Sequence, residues 1–208
     1  MKRNRELGIR EMEGHVLCSM AELALRHRDG VRARADAESA LDIAVAVRSR
    51  QNETCALAAS GNADLLLGRW EASARSFQRM EALARDIAFP PAVLDALEGQ
   101  ARLALAQGDI DRATSKLESL VGYADVRDAS MAGRAGGLGG SMEHWIRLTT
   151  YKVRARAGDA RAAAALAAAH QALLSEAAAI RDEQWRDSFL NNVPEHKEIV
   201  ELWSQHSR

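Results

Sequence analysis

A short turn recurs at a fixed distance along this chain, and it constrains the fold more than any other feature. It reads Arg28-Asp29-Gly30, then Gly68-Arg69-Trp70, Gly108-Asp109-Ile110 and Gly158-Asp159-Ala160. The first three are 40 residues apart; the last interval is 50 and contains the glycine-rich run Gly133–Gly140, as an insertion of about ten residues would produce. After each turn come small or apolar residues spaced four and then three apart: Ala33, Ala37, Ala40; Ser73, Phe77, Met80; Ala113, Leu117, Leu120; and Ala163, Ala167, His170. That spacing keeps each set on one helix face. A glycine at the turn ends the first helix at low cost by accepting positive φ, and the set that follows packs the second helix back on the first. One such pair cannot bury its own apolar side, but a stack of pairs can share a continuous core.

The segments between turns read as helix. Large apolar residues return every three or four positions in Leu103–Ile110 and Leu117–Tyr123, and no alternating run of β-branched and aromatic residues suggests a strand. Helices are expected at about 6–28, 31–49, 52–67, 70–87, 91–107, 110–123, 142–157, 160–180 and 182–205, with a break near Pro194. The expectation is one all-α domain over 1–208, with units at about 6–50, 51–88, 90–125 and 141–180, a glycine-rich loop at 129–141 and a C-terminal cap at 181–206. In that cap Trp185, Phe189, Val193, Ile199, Leu202 and Trp203 would cover the end of an alanine-rich stack. No comparable N-terminal cap is evident.

The pattern resembles the tetratricopeptide repeat. Leu57 and Gly61 match the first-helix signature in the second unit, and Ala21 and Ala101 fill the place of Gly61 in units one and three. The units are longer than the 34 residues usual for the family. The segment from Ile180 to Ile199 is similar to the end of tetratricopeptide regions in large bacterial regulators, some carrying signalling ATPase and cyclase domains and some LuxR-type DNA-binding domains. The resemblance implies a superhelix of about four helix pairs and a scaffold or sensor arm that binds another protein or domain, such as a regulatory ATPase, cyclase or DNA-binding domain. Carried over by register, the concave face would present His15, Cys18, Glu22 and Arg26 from unit one, and Asn62, Leu65 and Leu66 from unit two. Unit three would add Asp95, Glu98 and Arg102, and unit four Trp145, Lys152 and Arg156. The family's ordered Asn and Lys clamp for peptide carboxylates is not found. The alternative is a structural protein that self-associates through its uncapped N-terminal end.

Composition narrows the function classes. With 28 Lys and Arg against 29 Asp and Glu, the formal net charge is −1, without the basic excess of a nucleic-acid domain. The two cysteines, Cys18 and Cys55, are no disulfide framework, and the charged start has no apolar segment behind it, so a reduced, cytoplasmic protein off the membrane is expected. The glycine run 133–140 lacks the strand and the closing Lys-Ser or Lys-Thr of a phosphate loop. His15 and Cys18 have too few companions for zinc. The arginines around the first turn, Arg26, Arg28, Arg32 and Arg34, are interleaved with Asp29, Asp36 and Glu38 and read as a solvated face. No catalytic motif, metal or cofactor is implied, so an enzyme is the least favoured reading.

Overall fold

The computed structural model describes residues 2–131 and 140–206. Those residues form ten helices: α1 (Lys2–Arg26), α2 (Gly30–Val47), α3 (Arg50–Leu66), α4 (Trp70–Asp86), α5 (Pro90–Ala106), α6 (Ile110–Met131), α7 (Gly140–Arg156), α8 (Ala162–Ala179), α9 (Glu183–Asn191) and α10 (Pro194–His206). The fold is all-α. No helix among the described residues is long and apolar enough to cross a membrane.

One turn geometry is used throughout. Arg28, Arg48, Gly68, Ala88, Gly108 and Gly158 all take positive φ, between 50° and 74°. The residue after each donates its N–H to a carbonyl five back, as Asp29 does to Ala24, Arg69 to Asp64 and Phe89 to Ala84. This closes the last helical turn and satisfies its free carbonyls. The left-handed residue therefore recurs every 20 residues from 28 to 108, twice as often as the glycine signal shows. At 128 the rhythm stops: α6 runs on to Met131, past the expected end at 123. The expected loop 129–141 thus overlaps α6 and α7 at its edges, and residues 132–139 lie outside the described residues. Asp29 and Asp109 cap the helices that follow them by accepting from Arg32 N and Arg112 N, each at 3.0 Å.

Each of α1 to α6 packs on its chain neighbours, and α1, α3, α5 and α7 also touch in succession. The alanine face of α2 is buried between α1 and α3: Ala40 meets Cys18 and Ala56, Ala37 meets Ala21 and Ala59, and Ala33 meets Ala24 and Ala63. The centre holds larger groups, with Phe77, Met80 and Ala84 of α4 against Leu57 of α3 and Val93, Leu94 and Leu97 of α5. A Cβ placed on Gly61 would stand 2.7 Å from Phe77 Cε1, and one on Gly99 would stand closer still. Only glycine leaves room for that ring on both sides. Ser73 Oγ donates to Gly61 O at 2.8 Å and fixes α4 along α3.

The seams expected in the first three units are all buried. In the fourth unit the expected Ala163, Ala167 and His170 are not; the core-facing set is Leu166, Ala169, Leu173 and Ala177. The cause is the turn. Helices α4 and α6 begin two residues after Gly68 and Gly108, but α8 begins four after Gly158. Asp159, Ala160 and Arg161 form an extra bend, pinned where Arg161 donates to Asp159 Oδ2 at 2.6 Å, and the delayed start rotates the buried face.

The chain ends as expected in α9, a break and α10 opening at Pro194. Ile199 is buried with Leu148, Ala169 and Leu173, with Phe189 and Leu202 packed beside them, and Trp203 stacks on His170 at 4.9 Å. Trp185 departs from expectation. It is 70% exposed, because Asp182 caps α9 through Trp185 N and leaves the indole on the outer side of that first turn.

Candidate functional site

The 40-residue period becomes direct contact on the side formed by α1, α3, α5 and α7. Asn62 and Arg102 are 40 residues apart, and Arg102 Nη2 donates to Asn62 Oδ1 at 2.6 Å, from α5 to α3. Arg102 Nε donates to Glu98 Oε2 at 2.9 Å, one turn back on α5. Thr149 of α7 donates to Glu98 Oε1 at 2.6 Å. The guanidinium lies 4.5 Å from the centre of the Trp145 ring, also on α7. One polar network therefore spans three helices. Glu98 is fully buried, and its carboxylate is held by the two donors a buried charge requires. Arg102 is half-buried and reaches the surface above it.

Next to this network the wall is acidic. Burial, with the neighbouring Glu98, pushes the Asp95 carboxyl up to about 6, against the pull of Arg102 in the other direction. Solvent still reaches part of Asp95, although protein surrounds its carboxyl. Cys55, also 40 residues from its counterpart Asp95, has its thiol pushed up by burial and by that carboxylate. The Cys18 thiol is pushed up to about 12 by burial, with Cys55 adding to it. Both cysteines are free and stay protonated at neutral pH, so the thiolate that metal binding and redox chemistry require is disfavoured.

The remaining sequence-derived positions divide by surroundings. His15 and Arg156 are exposed. Glu22 and Arg26 are exposed and paired along α1 at 3.2 Å. Leu65 and Leu66 are half-buried, and Leu66 reaches toward Gly30 at the first turn. Cys18 is buried against Ala40 and Ala56, where it serves packing rather than contact. Lys152 is held by Glu198 of α10 at 2.8 Å, which ties the wall to the C-terminal segment. Thr149 was not singled out from sequence, and Cys55 was read there only as a small apolar side chain near Cys18, not as part of this wall. The 40-residue step from Asp95 leads back to Cys55, so that signal was present; the insertion before α7 hides the step from Glu98 to Thr149.

A second polar cluster joins the last pair to the C-terminal segment. The rings of His144 and His196 meet edge-on at 4.8 Å, His196 Nδ1 is 2.8 Å from Phe189 O, and His144 Nε2 is 3.1 Å from Glu176 Oε2 without the alignment of a hydrogen bond. Burial, with His144 adding to it, lowers the pKa of His196. Among the described residues no group of three His, Cys, Asp or Glu is placed to hold a metal ion. Comparison with protein-family models, with curated proteins and with solved structures finds no match for this chain.

Proposed function

We propose that this chain is a tetratricopeptide-like interaction module, a superhelix of helix pairs that holds another protein along the wall of α1, α3, α5 and α7. On this reading it is the non-catalytic scaffold or sensor arm of a bacterial regulatory system, and its partner is a regulatory domain of the ATPase, cyclase or DNA-binding kind. The observation that carries the reading is the set Asn62–Arg102–Glu98–Thr149 with Trp145. It holds an arginine and a tryptophan, two side chains that dominate binding hot spots, in one geometry before any partner arrives. Mixed charges along the wall, from Glu22 and Asp95 to Arg102 and Arg156, suit a polar partner surface carrying both signs.

The test is capture of partners from the cells of origin by the wild-type chain and by Arg102→Glu and Trp145→Ala. Removal of a hot-spot side chain is expected to weaken binding by roughly 30-fold, about 2 kcal/mol. Identical partners at identical yield with both variants would take the wall out of consideration.

A further inference from the structure

The six histidines of the chain are unevenly placed. His15, His27 and His206 are exposed, and among the described residues the seams of the first three units bury no imidazole. His144, His170 and His196 instead gather where α10 lies on α7 and α8. His144 is 0% and His196 3% exposed, and the His170 ring is stacked on Trp203 of α10. Little else holds this segment. Helix α9 has no buried residue, and α10 has two, His196 and Ile199. Half-buried Phe189, Leu190, Val200 and Leu202 complete the contact. One of the two buried side chains of α10 is therefore a group that changes charge near neutral pH.

The bonding fixes where a further proton must go. A carbonyl only accepts, so the 2.8 Å approach of His196 Nδ1 to Phe189 O places the proton of the neutral ring on Nδ1. Nε2 is then the bare nitrogen, buried and without a hydrogen-bond partner among the described residues. Each helix packed there contributes to its surroundings. Helix α7 brings the His144 ring, edge-on at 4.8 Å, with Arg147 one turn further along. Helix α8 brings Glu176, 3.1 Å from His144 Nε2. Helix α9 brings the Phe189 carbonyl, and α10 itself carries Glu195 beside the ring. A proton on His144 thus has a carboxylate at hand, whereas one on His196 Nε2 has no acceptor. The two carboxylates and the bond to Phe189 favour a charge on His196, but burial, with His144 adding to it, outweighs them and holds its pKa below the ordinary 6.5.

We infer that α9 and α10 form an acid-released clasp: a proton taken from solvent at His196 Nε2 undocks them as one piece from α7 and α8, while α1 to α6 stay folded. The bond from Nδ1 to Phe189 O survives that proton, so the two helices leave together. The non-helical residues 180–182 between α8 and α9 supply the hinge. Release parts Glu198 from Lys152 of the wall and uncovers Ala169 and Leu173 of α8. It does not require the wall to bind anything, so failure of one claim leaves the other standing.

Segment-resolved hydrogen exchange on the full chain, corrected for the intrinsic pH dependence of amide exchange, tests the clasp. Between pH about 7.5 and about 5 the opening constant of the α10 amides should rise about fivefold, the size one depressed histidine supplies. The amides of α3 and α5 should show no such rise. His196→Asn keeps a donor near the place of Nδ1 but takes up no proton, and it should lose most of the rise; His170→Asn should keep most of it. If His196→Asn is open at every pH, a proton NMR titration of the wild type decides. The His196 ring must titrate below 6.5, in step with the opening of α10. An equal rise in α3 and α5, a rise that survives whole in His196→Asn, or a His196 ring that titrates at or above 6.5 would overturn it.

Discussion

The Arg102 guanidinium bridges the Asn62 amide of one unit and the Trp145 ring of another, 2.6 Å from Asn62 Oδ1 and 4.5 Å from the ring centre. A double-mutant cycle on Asn62→Leu and Arg102→Met should return a coupling energy of about 1 kcal/mol in denaturant unfolding, as expected for a part-buried, charge-assisted hydrogen bond. Simple additivity of the two substitutions would mean that this bond does not form in solution.

Phe77 is held between two helices by the absence of side chains at Gly61 and Gly99. Alanine at either position has the better helix propensity by about 1 kcal/mol, yet here its methyl group meets the ring. Gly99→Ala and Gly61→Ala should therefore destabilise the chain by about 1–3 kcal/mol net of that gain. Thermal unfolding checks this, and a raised Tm for Gly99→Ala would contradict the placement of the ring.

The left-handed turn residues give a prediction of the opposite sign. Ala88 sits at φ 50° in the role that glycine fills at 68 and 108. Left-handed φ costs a non-glycine residue about 1 kcal/mol, and the greater freedom of glycine in the unfolded chain offsets part of the gain. Ala88→Gly should stabilise by about 0.5 kcal/mol, whereas Gly68→Ala and Gly108→Ala should destabilise by about 1 kcal/mol. Equal effects at all three sites would argue against a shared turn geometry.

Asp95 and His196 predict opposed pH dependences. The folded pKa of Asp95, about 6, lies above its ordinary 3.8. Its ionisation therefore costs stability as pH rises through that window, and protonation restores it as pH falls. Asp95→Asn should exceed the wild type by about 2 kcal/mol at pH 7, the gap closing toward pH 4, in paired urea titrations. For His196 the folded pKa is depressed, so its contribution is present above the ordinary histidine range and lost as pH falls through the folded value. His196→Leu should remove that acid-side loss without changing the behaviour of Asp95. A gap for Asp95→Asn that is independent of pH would contradict the burial of that carboxyl.

Much of the helical order was legible because each element repeats its neighbour. The turns at Gly68, Gly108 and Gly158 announced themselves through glycine, and Pro194 marked the start of α10. The turn at Ala88 was placed only as a gap between helices, and the one at Arg48 fell inside the expected helix 31–49, since the same backbone there carries residues with no turn signature. The fourth seam was misplaced because two additional turn residues rotate α8, and a rotation of that kind leaves no mark on composition. Glu22, Asn62, Asp95, Glu98, Arg102 and Trp145 were placed on one side of the stack by the repeat register together with the groove positions that the tetratricopeptide resemblance implies. What the register could not supply was direction: Cys18 turns into the alanine seam, and Lys152 turns toward Glu198 of a helix that has no counterpart in the repeat.

The central claim is that the α1, α3, α5 and α7 side is where a partner lies. Photocrosslinking tests it most directly. A photoreactive residue is placed in turn at the exposed wall positions His15 and Arg156 and at the exposed second-helix positions Arg75 and Ser119, each in the cells of origin. The account predicts one shared crosslinked species from the two wall positions and none from the other two. Crosslinking from Arg75 and Ser119 with silence at His15 and Arg156 would contradict it.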